Sequence, residues 1–372
     1  MDLMNNREFE ENDREFIRGN NLNQPVPINA EINDGPSGIY EPSLFQKKIL
    51  VEYFQNNGIF LKTVFCDKCG NKCQLLKENQ AIDEYVWRCR GHNPKHDTKI
   101  NIRTQSFLEG LHINIQILYF VIFHCFVEAK SLNETIIETN EFAKKLNIAI
   151  ITKASLSKLF GLLRNKIKEK THSLWSKSLL GEEFGEYGYA SIEIDESKII
   201  GNNNDIFWMF SMISRETKEA RIFCVLNNRT KNNLLPIIQN NVVTAIDEDE
   251  NMPLELSVKT RIYSDCYSSY QVEDFKHLGY VLKRINHSVW FGYGLFHTNT
   301  IEGLWSKIKK YSGDFSGISI DNLKKNFNNN NNLIKSYLDG WITYSLLIRE
   351  FKRRKLSWPQ RINLLCEYLN IN

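Results

Sequence analysis

Three short runs decide the fold: SIEIDESKII (191–200), DIFWMFSMIS (205–214) and ARIFCVLNN (220–228). Each is apolar, β-branched or aromatic, and turns separate them. They predict an antiparallel meander of three strands. LLPIIQNNVVTAI (234–246) follows with helical texture, and RIYSD (261–265) reads as a further strand.

That order, strand–strand–strand–helix–strand–helix, is the one a ribonuclease-H-like fold uses, with a mixed sheet. It sets the acid on the first strand, Asp195, beside the acid ending the fourth, Asp265. A third acid, Glu302, falls in HTNTIEGLWSKIKK (297–310), which predicts a helix opening on Asn299 or Thr300. Lys309 lies seven residues beyond Glu302, almost two turns, so both leave one helix face. A carboxylate and a cation stacked that way suit a metal ion and a phosphate held side by side.

Each acid also has a plainer reading. Asp195 is flanked by Glu193 and Glu196, and a DE pair after a strand is ordinarily a turn. Asp265 can cap the segment that follows it. Glu302 stands three residues after Asn299, the capping-box spacing. Singly the plainer readings are stronger; jointly, in this structural order, the acids point to one shared site. Phosphodiester cleavage uses two divalent ions, one for each oxygen, and Mg²⁺ or Mn²⁺ takes hard carboxylate donors. Asp195, Asp265 and Glu302 are the expected ligands.

The chain has 372 residues, 42% of them apolar and 24% charged, with a net charge of +3. That length allows two or three domains, and the composition excludes a disordered chain. Charge is segregated: seven basic residues against Glu169 alone between Lys153 and Lys177, and acid in the first fifty residues and at Asp247–Glu250. Such segregation suits a nucleic-acid face. No signal-peptide pattern opens the chain. The longest apolar run, Ile115 to Val127, is too short for a bilayer and contains Gln116 and His124.

Four of the eight cysteines crowd between Cys66 and Cys89. The others are isolated, which predicts a reducing compartment rather than a disulfide framework. Cys66-x2-Cys69 followed after nineteen residues by Cys89 predicts a structural zinc ribbon, with Gly70 allowing the knuckle to turn. His96 is the expected fourth ligand; His92 has better knuckle spacing, and Cys73 is a further alternative. Buried cysteines without metal are the plainer reading. Beyond the ribbon, residues 106–180 read as helical, with a helix-turn-helix texture over 139–170. Lys158, Arg164, Lys166, Lys168 and Lys170 are expected on its outer face as DNA contacts; a solvated helix face is the commoner fate of such a run. Gly181 to Gly188 marks a boundary.

IEIDESK, NNRTKNNLLPII, IYSDCYSSY, NHS (286–288) and HTNTIEGLWSKIK together resemble the catalytic domain of DDE transposases of the Merlin superfamily and related bacterial insertion sequences. The likeness runs from about Cys66 to Lys310. It implies that Asp195, Asp265 and Glu302 bind the metal, with Asn299 an alternative third residue. It matches Lys309 to the basic residue after the glutamate, and His287 and His297 to histidines near the site. It implies double-stranded DNA as partner, transposon ends and target alike, and a homodimer or larger assembly. A transposase-derived DNA-binding protein without cleavage activity is the alternative.

The expected plan is α+β and multidomain. It comprises an arm (1–42), a helix with zinc ribbon (43–105), a helical DNA-binding segment (106–180), a ribonuclease-H-like domain (186–350) and a basic, helical C-terminal tail (351–372). The run Asn328–Asn332 departs from the family and reads as a loop insertion. Lys352–Lys355 suits nuclear import in a eukaryote or, more plainly, a basic helix end; otherwise the expected compartment is cytoplasmic.

Overall fold

Alternating side chains dictate how the meander is used. In a strand successive residues face opposite sides, and these strands are apolar on both. The computed structural model describes residues 46–92, 95–183, 188–201, 205–227, 229–244, 260–267, 270–286, 297–311 and 319–370. The expected arm, the acidic run 247–250, His287 and the His92 side chain lie outside the described residues.

The chain is α+β. A small antiparallel sheet joins β1 (Gln74–Lys77), β2 (Tyr85–His92) and β3 (Lys95–Asn101). A mixed sheet of five holds β4 (Ala190–Gly201), β5 (Ile206–Ser214), β6 (Ala220–Leu226), β7 (Thr260–Asp265) and β8 (Val281–Ile285), in the order β6-β5-β4-β7-β8. β4, β5 and β6 pair antiparallel as the meander requires, whereas β7 and β8 run parallel to β4.

Ten helices surround the sheets among the described residues. α1 (Lys47–Asn56) precedes the ribbon; α2 (Ile115–Ile122), α3 (Leu132–Lys145) and α4 (Lys153–Trp175) follow it. α5 (Lys231–Gln239) and α6 (Val272–His277) connect strands. α7 (Asn299–Tyr311), α8 (Ile320–Asn326), α9 (Asn331–Arg353) and α10 (Trp358–Leu369) end the chain. No described helix is long and apolar enough to cross a membrane.

Both faces of the mixed sheet are covered. Ile192, Ile194, Phe210 and Met212 pack with Leu234 and Ile238 of α5. The other face sets Phe207, Met209, Ile213 and Ile222 against Ile301, Leu304 and Ile308 of α7 and Leu338 and Ile342 of α9. Each such side chain contributes about 1.5–3 kcal/mol by leaving water. A third core joins α1, α2, α4 and α10, and α9 supplies Trp341, Tyr344 and Leu347 to it as well. α9 therefore serves two cores at once.

Buried polar contacts fix these bodies together. Arg103 and Asp83, each about 1% exposed, form a two-pronged pair at 2.5 and 2.6 Å, and Arg103 also donates to the carbonyls of Leu111 and Ile113. That clamps the ribbon to the helices. Arg221 on β6 donates to the carbonyls of Trp175 and Ser178, tying the end of α4 to the sheet.

The Asn328–Asn332 run is not a slack insertion. Asn328 and Asn329 hold left-handed φ of 50° and 57°, and Asn330 caps α9 by accepting from the N–H groups of Asn332 and Leu333. Asparagine tolerates that backbone and caps helices well.

Asp339 on α9 is buried and accepts from the Cys224 N–H of edge strand β6 at 3.0 Å. Burial lifts its carboxyl to about 6, against the pull of the Cys224 N–H and nearby Lys335 and Lys168. Between roughly pH 4 and 6 the folded chain keeps this proton and the unfolded chain has lost it. Its contribution to stability is thus full in acid and lost as pH rises through 6. Asp339→Asn, which keeps the accepting oxygen, is expected to raise stability at pH 8 by roughly 1–2 kcal/mol and to change nothing near pH 4. Thermal melts at the two pH values check this.

Candidate active site and metal centre

The knuckle geometry follows from local backbone. Gly70 takes φ +69° and its N–H donates to the Cys66 carbonyl, closing a tight turn. Burial pushes the Cys66 thiol up, yet the backbone N–H groups of Lys68 and Cys69 donate to its sulfur and bring it down to about 6. A sulfur poised to ionise is what a metal needs.

Cys66, Cys69, Cys89 and His96 bring one ligand atom each within 4.8 Å of the others. Cys66 Sγ lies 3.3 Å from His96 Nε2, and Cys69 Sγ 3.5 Å from Cys89 Sγ. This Cys3His set can hold a structural metal such as zinc. Cys73 is buried beside it but stands outside the set. His96 reaches the thiols because β3 pairs it with Gly91 of β2, and its ring lies where a Gly91 side chain would be: a Cβ there would meet Cε1 at 2.0 Å. All eight cysteines are free thiols.

The acids gather at the other sheet. Parallel pairing runs from Ala190–Thr260 to Glu193–Tyr263, and the same offset of seventy separates Asp195 from Asp265. Extended by two residues, that register sets both aspartates on one face of adjacent strands, which lie about 4.8 Å apart. Asp195 is half-buried; Oδ1 accepts from the Glu196 N–H and Oδ2 from Trp305 Nε1, each at 2.8 Å. Burial holds its carboxyl above the usual range, and the charges of Asp265 and Glu302 push the same way. Asp265 Oδ1 accepts from the Tyr267 N–H at 3.0 Å, a local turn and not the expected helix cap, since the next helix begins at Val272 with Gln271 before it.

Glu302 sits in the first turn of α7, exposed, and accepts from the Thr298 hydroxyl at 3.2 Å. It therefore also braces its own helix start. Trp305, one turn on, carries α7 to Asp195, and Lys309, one turn further, is exposed on the same stripe. Asn299 is exposed at the first helical position.

What orients α7 is Glu193, wholly buried two residues before Asp195. Its Oε2 accepts from the Ile301 N–H at 2.8 Å and its Oε1 from Arg215 Nε at 2.7 Å. His297 Nδ1 lies 3.6 Å from it, and the His297 carbonyl accepts from Arg215. On the opposite face Glu196 is lifted to about 8 by burial and by Asp195 and Asp265, with Arg229 3.7 Å away pulling it down. Neither Trp305 nor the role of Glu193 was apparent from composition, although both keep the spacing of a shared face.

Two sets of three or more metal-ligating groups converge within 4.8 Å among the described residues: the ribbon set and His124, Glu128 and Glu138. In the second the Lys130 ammonium already contacts both carboxylates, at 3.0 and 2.6 Å. Asp265 and Glu302 are near enough to raise the cost of ionising Asp195, but the three do not form such a set.

The basic helix α4 corrects one expectation. Arg164 is 5% exposed and stacks over Trp341 of α9 at 3.7 Å, so it is no surface contact. Lys158 is exposed, Lys166 and Lys170 are half-buried, and Lys168 donates to Ser336 of α9 at 2.5 Å.

The chain matches no known protein-family model and no curated protein.

Gly91→Ala is expected to displace the His96 ring and lower metal affinity at least tenfold, as is His96→Ala, whereas His92→Ala keeps it. Metal content after dialysis against a graded chelator reads this out.

Proposed function

We propose that the chain is a DNA transposase of the DDE type, resembling the Merlin superfamily, that cuts and joins strands at transposon terminal inverted repeats. The strand order β6-β5-β4-β7-β8, with β5 antiparallel to the other four, supports a ribonuclease-H-like catalytic domain. One observation carries the reading. The register that sets Asp195 beside Asp265 coincides with a helix tied to the same strand at two points, Ile301 to Glu193 and Trp305 to Asp195, and that helix bears Glu302.

The donor set suits Mg²⁺ or Mn²⁺: three hard carboxylates whose mutual repulsion a divalent cation would relieve. Asp195, Asp265 and Glu302 would hold the ions, which supply the Lewis acidity for both oxygens of an in-line displacement. Trp305 holds the Asp195 carboxylate in one orientation. Glu193 fixes the angle at which α7 presents Glu302. Lys309, on the Glu302 stripe, would take the phosphate next to the reacting one. Zinc in the Cys3His set would hold the ribbon as a rigid body.

Nicking and joining of duplexes bearing the flanking inverted repeats, with Mg²⁺, test this. Asp265→Asn is expected to lower turnover at least a hundredfold while DNA affinity stays within about twofold. Trp305→Phe, which keeps an aromatic ring but loses the indole N–H, is expected to lower turnover about tenfold. Unchanged nicking by Asp265→Asn would overturn the mechanism. The alternative reading, a DNA-binding protein that does not cut, predicts specific binding and no nicking by the native chain.

A further inference from the structure

Phe65 immediately precedes the first cysteine of the Cys3His set and is 64% exposed, although a ring of that size is ordinarily buried. It pairs with Lys72 across an isolated antiparallel bridge, so the two side chains leave the same side of the knuckle. Lys68 stands at the tip between Cys66 and Cys69, and Lys62 three residues before Phe65; all three lysines are exposed. Asp67, also exposed, is the sole acid in the stretch 62–72.

Elsewhere on the ribbon Lys77 and Lys95 lack an ion pair among the described residues, while the other cations are matched. Arg88 and Arg90 meet Asp97, Lys99 meets Glu78, and Lys47 meets Glu84. Lys62, Lys68 and Lys72 have no ion-pair partner among the described residues. Cations without partners suit phosphates. A phenyl ring has no hydrogen-bonding group, so it meets a nucleic acid by apolar contact, and the largest such surface is the π face of a base. A duplex hides those faces except at ends and kinks.

We propose that this knuckle is a nucleic-acid contact in which Lys62, Lys68 and Lys72 hold phosphates and Phe65 stacks on an unpaired or terminal base. It deepens the DNA reading above, and binding alone tests it, without reference to cleavage. The full chain is titrated against labelled duplexes with blunt ends or with a single-stranded overhang, across a range of salt.

Native protein is expected to prefer the overhang. Phe65→Ala should weaken overhang binding about tenfold and leave the blunt duplex nearly unchanged, while Phe65→Trp restores the preference. Lys68→Gln with Lys72→Gln should flatten the dependence of log affinity on log salt by about 1.5. Undiminished bound metal in each variant shows that the ribbon is intact. Equal affinity of Phe65→Ala for the overhang overturns the inference. Loss of self-association by Phe65→Ala, at unchanged DNA affinity, overturns it in favour of a protein contact. Overhang binding through Phe65 without nicking by the native chain would leave the inference standing and remove the transposase reading. Nicking that survives with Phe65 immaterial does the reverse.

Discussion

A single buried carboxylate holds the architecture of the acid site together. Glu193 lies in the middle of the mixed sheet, without contact with water, and accepts from Arg215 on one oxygen and from the first turn of α7 on the other. A helix N-terminus carries partial positive charge, so an anion there is favourable in itself. Burying that anion without both partners would cost several kcal/mol. α7 has therefore one docking angle, and Glu302, Trp305 and Lys309 inherit their places from it. The catalytic reading depends on this constraint more than on any acid alone.

The second constraint is that the sheet is not free-standing. α9 lends one stripe to the sheet and another to the helical core, and its Tyr344 hydroxyl donates to the Cys125 carbonyl. α10 then closes on α1, with the Tyr53 hydroxyl 3.6 Å from Cys366. The C-terminal segment, read from sequence as a basic and helical tail, is helical and packs into a core. Movements of the ribbon and helices can reach the sheet through α9, through Arg221 of β6, which holds the end of α4, and through Trp175 of α4 against Phe223.

The mixed sheet was legible because its signal is local. Runs of β-branched and aromatic residues between turns leave little else to build, and the acids at 195 and 265 could be matched by strand order. The cysteine spacing likewise announced the Cys3His set. What the sequence hid is non-local. His96 was the expected fourth ligand, but what brings it to the thiols was hidden: β3 lays it over Gly91, and pairing register is not written in spacing. Arg164 falls at the edge of an apolar stripe, and Trp341, far along the chain, decides that it turns inward. Nothing in the local sequence marks Trp305, whose N–H reaches a carboxylate on another element.

The link from Asp339 to Cys224 bears on how copies of this chain can meet. An outermost strand with open N–H and C=O groups invites another strand to add to it. At β6 a helix of twenty-three residues lies across that margin and takes one of its amides. Strand addition there would require peeling α9 away, and with it part of a second core. Any higher-order assembly must therefore be made by surfaces other than this margin, and fibril-like stacking through β6 is blocked by the same helix that joins the two halves of the molecule.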